Sequence, residues 1–237
     1  LDPLDITQYG HIDHCVREAI TLGMDKIDAI SCASKTIFEY YNMGKDLGGI
    51  APGKLADMLV FDDLTKKPRR VFVGGKLVAS NGTIVTKIRK DILPSWITKT
   101  VKLGKFSESD FAISSKNQTV TANLIEMDTE IITKLSTAEL DAKQGNVQTS
   151  KEQDIWKVAA DVGAFASTWS FHENDLIVIG SSEKDMALAA NHLAKSQGGM
   201  VIVKDGKVIS FLPLQIAGII SKNSFEDVLT RFVDINQ

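Results

Sequence analysis

The chain lacks the features of a membrane or secreted protein. Its 237 residues contain no run of the roughly 18 to 20 consecutive apolar residues that a membrane-spanning helix needs. Its N-terminus has no basic segment followed by an apolar one, as a signal peptide would have. We therefore expect a cytoplasmic protein with no membrane association.

Cysteine is scarce, since only Cys15 and Cys32 are present. Their separation does not match the C-x-x-C spacing of redox and zinc motifs, and both lie among apolar residues of predicted helices. Because free cysteines are often buried, we expect two reduced thiols in the core.

The common catalytic signatures are also missing, because the sequence has no H-x-H, no H-E-x-x-H and no local Ser-His-Asp arrangement. His11 and His14 stand three residues apart at a predicted helix start, where both would lie on nearly one face. A zinc-type site needs three or four ligands, and no third ligand is near in sequence. We expect these two histidines to be structural.

Positive charge is concentrated in one region, although the formal net charge is only -3. Between Lys66 and Lys105 the chain has eleven Lys or Arg and a single acidic residue, Asp91. The basic residues alternate with strand residues, and no aromatic platform or recognition helix accompanies them. We expect a solvated β surface, or one that faces an acidic partner domain, and no nucleic-acid partner.

Hydrophobic periodicity predicts helices in the first part of the chain. Between His11 and Leu22, apolar residues recur three and four positions apart, which is typical of an amphipathic helix. Asp25 is placed to cap a second helix that runs through Ser34, and a third helix is expected to stop at Gly44.

Farther along the chain, apolar residues recur at every second position. Residues 56–85 predict at least three strands, with a tight hairpin at Gly74-Gly75. Residues 118–127 predict another strand, and residues 128–153 are polar enough to predict a surface loop.

The last third predicts a mixture of strands and helices. Strands are expected at 159–171 and 175–180, and Ser182 is placed to cap a helix that Gly198-Gly199 closes. Residues 200–214 predict a hairpin turning on Asp205-Gly206, and residues 224–236 predict a final amphipathic helix. Strands and helices do not alternate regularly, which favours an α+β fold.

A cluster of polar residues separates the two strands expected at 159–171 and 175–180. It consists of His172, Glu173, Asn174 and Asp175. Loops at strand ends often carry functional groups, and a His beside a Glu can move protons near neutral pH. The alternative is a solvated turn in which Asn and Asp bond to their own backbone.

Two stretches of sequence resemble known families. Residues 10–43 and "GGIAPGKLADMLVFDD" (48–63) resemble the end of the metal-dependent amidohydrolase superfamily, in which an I-x-P-G-x-x-A-D-x-x-V strand leads from a barrel into a β-sandwich. "GAFASTWSFHENDLIVIGSSEKDMALAANHL" (163–193) and "GGMVIVKDGKVISFLPLQIAGIIS" (198–221) are similar to the C-terminal domain of bacterial adenine deaminases.

This resemblance implies an α+β fold in three parts. Residues 1–47 would be the terminal helices of a truncated (β/α)8 barrel, and residues 48–92 a small β-sandwich unit. Residues 93–237 would be an adenine deaminase-type C-terminal α+β domain, with 128–153 as its surface loop. A complete barrel needs around 250 residues, so we expect a fragment of a longer enzyme.

The resemblance also implies a function for the complete enzyme, which would convert adenine and water to hypoxanthine and ammonia in purine salvage. A divalent metal (manganese, iron or zinc) would activate the attacking water. The family's metal ligands would precede Leu1, so we expect no metal ligand in this chain and no deaminase activity from it alone.

The polar cluster gains a role from the same resemblance. Adenine deaminases commonly have H-D-S-H-N at this position, whereas this chain has Phe171 and Asn174 in place of the two histidines and His172 in place of the Asp. His172 and Glu173 would be accessory catalytic residues, and Asn174 and Asp175 would contact the purine substrate.

Two other functions stay open. The chain could be a non-catalytic binding or regulatory module, or it could belong to a hydrolase of another cyclic amide or amidine. Under the fragment interpretation, the apolar stripe of Ile12, Val16 and Ile20 would have lost its neighbours. Exposed side chains of this kind each forfeit about 1.5 to 3 kcal/mol, so we expect a homo-oligomer.

Overall fold

The computed structural model describes residues 2–87, 93–112, 114–127, 133–143, 146–147, 163–169 and 175–236. These residues belong to two units, Leu1–Ile92 and Leu93–Gln237. Helix and strand are mixed in both units, in agreement with the predicted α+β class. Within the described ranges, no helix combines the length and apolar content needed to cross a membrane.

Four helices begin the first unit, three of them where the sequence predicts them. The Asp25 carboxylate caps the third helix as expected, since it accepts hydrogen bonds from the Ile27 and Asp28 N–H groups at 2.8 and 3.3 Å. The fourth helix ends earlier than the predicted Gly44, because Asn42 has a φ of 57° and turns the chain out of the helix. The helices are α1 (Pro3–Gln8), α2 (Ile12–Thr21), α3 (Lys26–Cys32) and α4 (Lys35–Tyr40).

The prediction of buried thiols is wrong. Cys15 on α2 and Cys32 on α3 are both free and exposed. Among the described residues of the first unit, Ala29 is the only buried apolar side chain, so these helices share little buried core within the unit. Ile12, from the apolar stripe of α2, is 53% exposed.

An antiparallel sheet follows in the first unit, with strands in sequential order. Gly74 and Gly75 have φ angles of 54° and 75°, which confirms the predicted hairpin. Asp57 accepts a hydrogen bond from the Gly74 N–H at 2.7 Å, so the Asp of the A-D-x-x-V motif holds that turn. The strands are β1 (Met58–Val60), β2 (Arg70–Val73), β3 (Lys76–Ser80) and β4 (Thr83–Ile84).

The lysine of the same motif region also has a structural role. The Lys54 Nζ donates to the Gly44 carbonyl at 2.6 Å and to the Leu47 carbonyl at 3.0 Å. It therefore fixes the chain between α4 and β1.

The described basic residues of the 66–105 region are all exposed, as expected for a solvated surface.

The second unit contains a three-stranded antiparallel sheet, β5 (Thr119–Met127), β6 (Thr133–Lys143) and β7 (Asn146–Val147). Strand β6 pairs with all nine residues of β5, and β7 pairs with β6. The prediction of a surface loop over 128–153 is therefore wrong at β6 and β7. The polar composition of β6 was misleading because strand pairing is made by the backbone, and one face of a strand can remain in water. Leu140 supplies its buried contact.

A four-stranded antiparallel sheet in the order β11-β10-β8-β9 carries the core of the second unit. Its strands are β8 (Ala164–Ser167), β9 (Ile177–Gly180), β10 (Gly199–Lys204) and β11 (Lys207–Pro213). Helix α5 (Glu183–Ser196) packs on one face, and helix α6 (Phe225–Asn236) packs against the other. The cluster with α5 contains Ala164, Ala166, Ala189, Leu193, Val201 and Val203, and the cluster with α6 contains Leu212, Leu214, Phe232 and Ile235.

Most local signals of this sheet are confirmed. The Ser182 hydroxyl caps α5 by accepting from the Asp185 N–H at 3.3 Å. Asp205 and Gly206 turn the β10–β11 hairpin with φ angles of 51° and 73°. The end of α5 differs from the prediction that Gly198-Gly199 closes it. Gln197 takes the left-handed conformation after α5, with a φ of 63°, and Gly199 already belongs to β10.

Helix α5 also holds the segment that precedes β5, which includes two short 3-10 turns, Ser95–Thr98 and Glu108–Asp110. The Asn191 amide donates to the Phe106 carbonyl at 2.7 Å and accepts from the Phe106 N–H at 3.0 Å. Gln197 donates to the Val101 carbonyl at 3.1 Å. The side chains of Asn191, on α5, and of Gln197, directly after it, thus satisfy backbone groups of residues distant in sequence.

Candidate functional site

The predicted site lies between two paired strands. Strands β8 and β9 are antiparallel neighbours, and Ser167 at the end of β8 pairs with Ile177 at the start of β9. The chain between them carries the polar cluster. His172, Glu173 and Asn174 lie outside the described residues, whereas Asp175 is described and exposed. The site is thus described at its two ends, and the sheet holds both of them.

Thr168 fixes the first end of this connection. Its side chain is only 6% exposed, and its hydroxyl donates to the Gly218 carbonyl at 2.5 Å while accepting from the Gly199 N–H at 2.9 Å. Its own N–H donates to the Gly199 carbonyl at 3.0 Å. The strand end is therefore bound to the start of β10 and to the turn that follows β11.

Trp169 continues from this point. Its N–H donates to the Ser167 hydroxyl at 3.0 Å, and its ring meets Phe232 of α6 edge-on, with centroids 6.4 Å apart. It packs against the α6 cluster together with Met200 and Ile202. The residue that leads into the polar cluster is thus anchored by its ring.

Two buried polar groups of α5 were not found by sequence reasoning. The Asp185 carboxylate is 5% exposed and accepts from the Asp205 and Gly206 N–H groups at 3.1 and 2.8 Å, so it holds the β10–β11 turn. His192 meets Phe211 edge-on at a centroid distance of 4.5 Å. Both contacts join residues far apart in the chain, which is why no local pattern points to them.

Burial lowers the pKa of His192, and the nearby Lys195 charge lowers this pKa further. Its Nε2 is buried without a hydrogen-bond partner among the described residues. Burial without a partner disfavours the charged imidazolium, so His192 is neutral near pH 7. Its contacts are those of a packed aromatic side chain.

The two N-terminal histidines lie at the start of α2. His11 precedes α2 and makes no side-chain capping bond, and the His14 ring stacks on Tyr9 at 5.4 Å. Beside them, Arg17 binds the Asp13 carboxylate at 2.7 Å. Burial raises the pKa of Asp13, but hydrogen bonds from Arg17 and the His11 N–H outweigh it, so the pKa falls below its usual value.

A catalytic metal does not fit the described residues. In the ranges that the structure covers, no three His, Cys, Asp or Glu side chains come together as possible ligands. A catalytic zinc site, for comparison, uses three protein ligands and an open position.

Comparison with known proteins defines the class. Residues 7–106, which include α2 to α4 and the sheet β1–β4, match the family described as "Amidohydrolase family". This part of the chain is therefore similar to the amidohydrolase family, whose members are generally metal-dependent.

The particular group follows from the second unit. Residues 158–237, which include the four-stranded sheet with α5 and α6, match the "Adenine deaminase C-terminal domain". The chain therefore belongs with the adenine deaminases of the amidohydrolase family. It is 47% identical to the "Adenine deaminase" of Cenarchaeum symbiosum, over 96% of this chain and 41% of that protein.

More distant relatives give the same result. The "Adenine deaminase" of Desulforamulus reducens is 33% identical over 98% of this chain and 44% of that protein. The "Adenine deaminase" of Kosmotoga olearia is 32% identical over 97% of this chain and 43% of that protein. The chain thus spans about two fifths of the length of these curated relatives.

Proposed function

We propose that this chain is the C-terminal portion of an adenine deaminase, whose complete form hydrolyses adenine to hypoxanthine and ammonia. The observation that carries the proposal is the adenine deaminase C-terminal domain at residues 158–237, within a chain 47% identical to a curated adenine deaminase over 96% of its length. Few other amidohydrolases carry that domain, so it favours adenine over another cyclic amide or amidine.

The proposed division of the chain follows from the same matches. Residues 1–47 would be the last helices of a (β/α)8 barrel, residues 48–92 part of a β-sandwich beside it, and residues 93–237 the C-terminal domain. The exposure of Ile12, in the apolar stripe of α2, supports this division, because a helix with one apolar stripe normally packs against a neighbour.

The proposed role of the second unit is to present the polar cluster to the substrate. His172 and Glu173 would assist proton transfer, and Asn174 and Asp175 would bind the purine by hydrogen bonds. The pairing of β8 with β9 and the buried bonds of Thr168 support this role, because they hold both ends of the connection on a rigid sheet.

The metal of the complete enzyme, proposed to be manganese, iron or zinc, would be held by sequence of the amidohydrolase barrel that precedes the match. We further propose that the complete protein is a cytoplasmic, homo-oligomeric enzyme of purine salvage. The relatives' printed names support a purine substrate, and the family's general metal dependence supports a bound metal.

The first test is an activity assay on the 237-residue chain. Purified protein is incubated with adenine and manganese, and hypoxanthine is followed by its absorbance. We expect no turnover, because the described residues present no cluster of metal-binding side chains. A relative that retains its whole amidohydrolase region is the positive control, and a rate near that of the control would contradict the proposal.

The second test concerns the polar cluster in the complete protein. His172→Ala and Glu173→Ala should each lower kcat by roughly 100-fold or more, the usual contribution of a group that transfers a proton. Asp234→Ala, at an exposed position of α6, is the matched control and should leave kcat unchanged. Wild-type kinetics in both cluster variants would reduce the cluster to a solvated turn.

A further inference from the structure

The turn between β3 and β4 contains the one Asn-Gly pair of the sequence. Asn81 and Gly82 form the turn, and Ser80 pairs with Thr83 directly before and after it. Their φ angles are 49° and 76°, as a two-residue hairpin requires, and both residues are exposed. Water therefore reaches both residues, which matters because an Asn-Gly pair can react with water.

An asparagine side chain can be attacked by the backbone of the residue that follows it. The backbone nitrogen bonds to the side-chain carbonyl carbon, and the bond from that carbon to NH2 breaks. The backbone proton passes to the departing NH2, which leaves as ammonia, and a five-membered cyclic imide remains. One water molecule then opens the imide at either carbonyl and gives aspartate or isoaspartate. A following glycine favours the reaction because it has no Cβ to obstruct the attack.

Gly82 offers an unobstructed nitrogen for this attack. A Cβ added at Gly82 would meet no atom within 4 Å, so the space beside its backbone is open. Among the described residues, no backbone carbonyl accepts a hydrogen bond from the Gly82 N–H. The attack also requires the Asn81 backbone to rotate out of the turn. Strand β4 resists this rotation little, because it consists of two exposed residues.

Asn42 provides a comparison within the same unit. It is exposed and has a φ of 57°, close to that of Asn81. Met43 follows it, so a side chain stands beside the nitrogen that would attack. The Met43 N–H also donates to the Phe38 carbonyl at 2.7 Å. The two asparagines thus share exposure and backbone conformation, but they differ in access to the next backbone nitrogen.

Asn81 and Gly82 line a cleft of about 340 Å³ with a positive balance of charge, here called the basic cleft. Asp62 in this cleft binds Arg69 at 3.2 Å, which leaves two lysines against one other carboxylate. Nearby positive charge favours loss of the Gly82 amide proton and afterwards stabilises a carboxylate at position 81. The charged residues of the cleft are Asp62, Asp63, Lys66, Lys67 and Arg69.

We propose that Asn81 is a site of spontaneous deamidation, at which a carboxylate replaces a neutral amide in the basic cleft. The isoaspartate product also lengthens the main chain by a methylene group within the turn. A two-residue turn fixes the register of its strands, so the extra group disrupts the pairing of Ser80 with Thr83. The proposal is independent of the proposed function, because the reaction involves no catalytic residue.

The test follows the 237-residue chain during incubation at neutral and at mildly alkaline pH. Peptide mass mapping locates each asparagine whose NH2 has been replaced by OH, and isoaspartyl methyltransferase labels the isoaspartate product. We expect conversion at Asn81 and none at Asn42 over the same period. Conversion should be faster at the higher pH, because the attacking nitrogen must lose its proton.

A synthetic peptide of residues 77–86 is the positive control, because no folded structure protects it. Complete conversion of the peptide while Asn81 of the folded chain stays intact would overturn the proposal. Conversion at Asn42 as fast as at Asn81 would also contradict it, since the open nitrogen of Gly82 would then have no effect.

Two variants sharpen the result. Gly82→Ala places a methyl group beside the attacking nitrogen and should slow conversion at Asn81, so an unchanged rate in the folded variant would contradict the proposal. Asn81→Asp is the charge reference, and the converted wild type should elute with it in ion exchange. The positive φ of Gly82 strains an alanine there, so circular dichroism checks the fold of Gly82→Ala. If that variant does not fold, the wild-type and peptide measurements decide by themselves.

Discussion

The two units differ in how much of their apolar surface they bury themselves. Among the described residues of the first unit, only Ala29 is a buried apolar side chain, although Leu22 is 85% exposed and Ile50 87% exposed. The second unit buries two apolar clusters, one on each face of its sheet. Helix caps and turns are well formed in both units. Capping and turn residues therefore determine where helices and hairpins form, whether or not a unit has an apolar core.

This difference distinguishes what capping bonds determine from what apolar burial determines. Asp25 caps α3, and Ser182 caps α5, with the same side-chain-to-backbone bond. Helix capping adds about 1 kcal/mol, whereas fully burying a large apolar side chain adds about 1.5 to 3 kcal/mol. The first unit therefore has the local geometry of its fold but little of the energy that stabilises a domain.

Truncation of a leucine should show the largest difference in stability between the two units. Leu193→Ala, at a residue with no exposed surface, should lower the free energy of unfolding by about 2 to 5 kcal/mol. Leu22→Ala, in the first unit, should change it by less than about 0.5 kcal/mol. Urea denaturation followed by circular dichroism measures both. Equal effects would show that the first unit has a core of its own.

The two aspartates that hold hairpin turns give a finer comparison. Asp185 is buried and accepts from two backbone N–H groups, whereas Asp57 is exposed and accepts from one. Asp185→Ala should cost about 1 to 3 kcal/mol because it leaves buried donors unpaired. Asp57→Ala should cost about 0.5 kcal/mol, because water can replace the lost acceptor. The same denaturation experiment distinguishes them, and the reverse order would contradict the comparison.

The smallest expected effect concerns pH. Burial lowers the pKa of His192 in the folded state, so the unfolded state binds a proton more readily as the pH falls below about 6.5. The contribution of His192 to stability is therefore present above that pH and is lost below it. His192→Phe should unfold with a weaker dependence on pH between about 7.5 and 5 than the wild type. His14→Gln is the control in the first unit, and an unchanged dependence in His192→Phe would contradict the assignment.

Much of the secondary structure could be predicted because its causes are local. The Asp205-Gly206 and Gly74-Gly75 hairpins each depend on two adjacent residues with positive φ. The exposure of Cys15 and Cys32 could not be predicted, because burial depends on which element covers a helix. Strand β6 was missed because its partner strand, and not its own apolar content, defines it.

The sequence predicts the polar cluster, but it does not predict the bonds that hold the end of β8 beside it. The polar cluster stands out as a run of four hydrogen-bonding side chains between two strands. The hydrogen bonds of Thr168 to Gly199 and Gly218 span 31 and 50 positions of the chain, and no sequence pattern predicts them. Such long-range bonds are found only once the sheet is assembled.

The close approach of Gly198 to Gly218 has a consequence for anyone who would redesign this protein. An alanine at Gly198 would set its methyl group 2.5 Å from another backbone, so random libraries that include this position would be filled with misfolded members. If the polar cluster binds substrate as proposed, diversity directed at substrate choice belongs at 171–175, with the glycine pair left untouched.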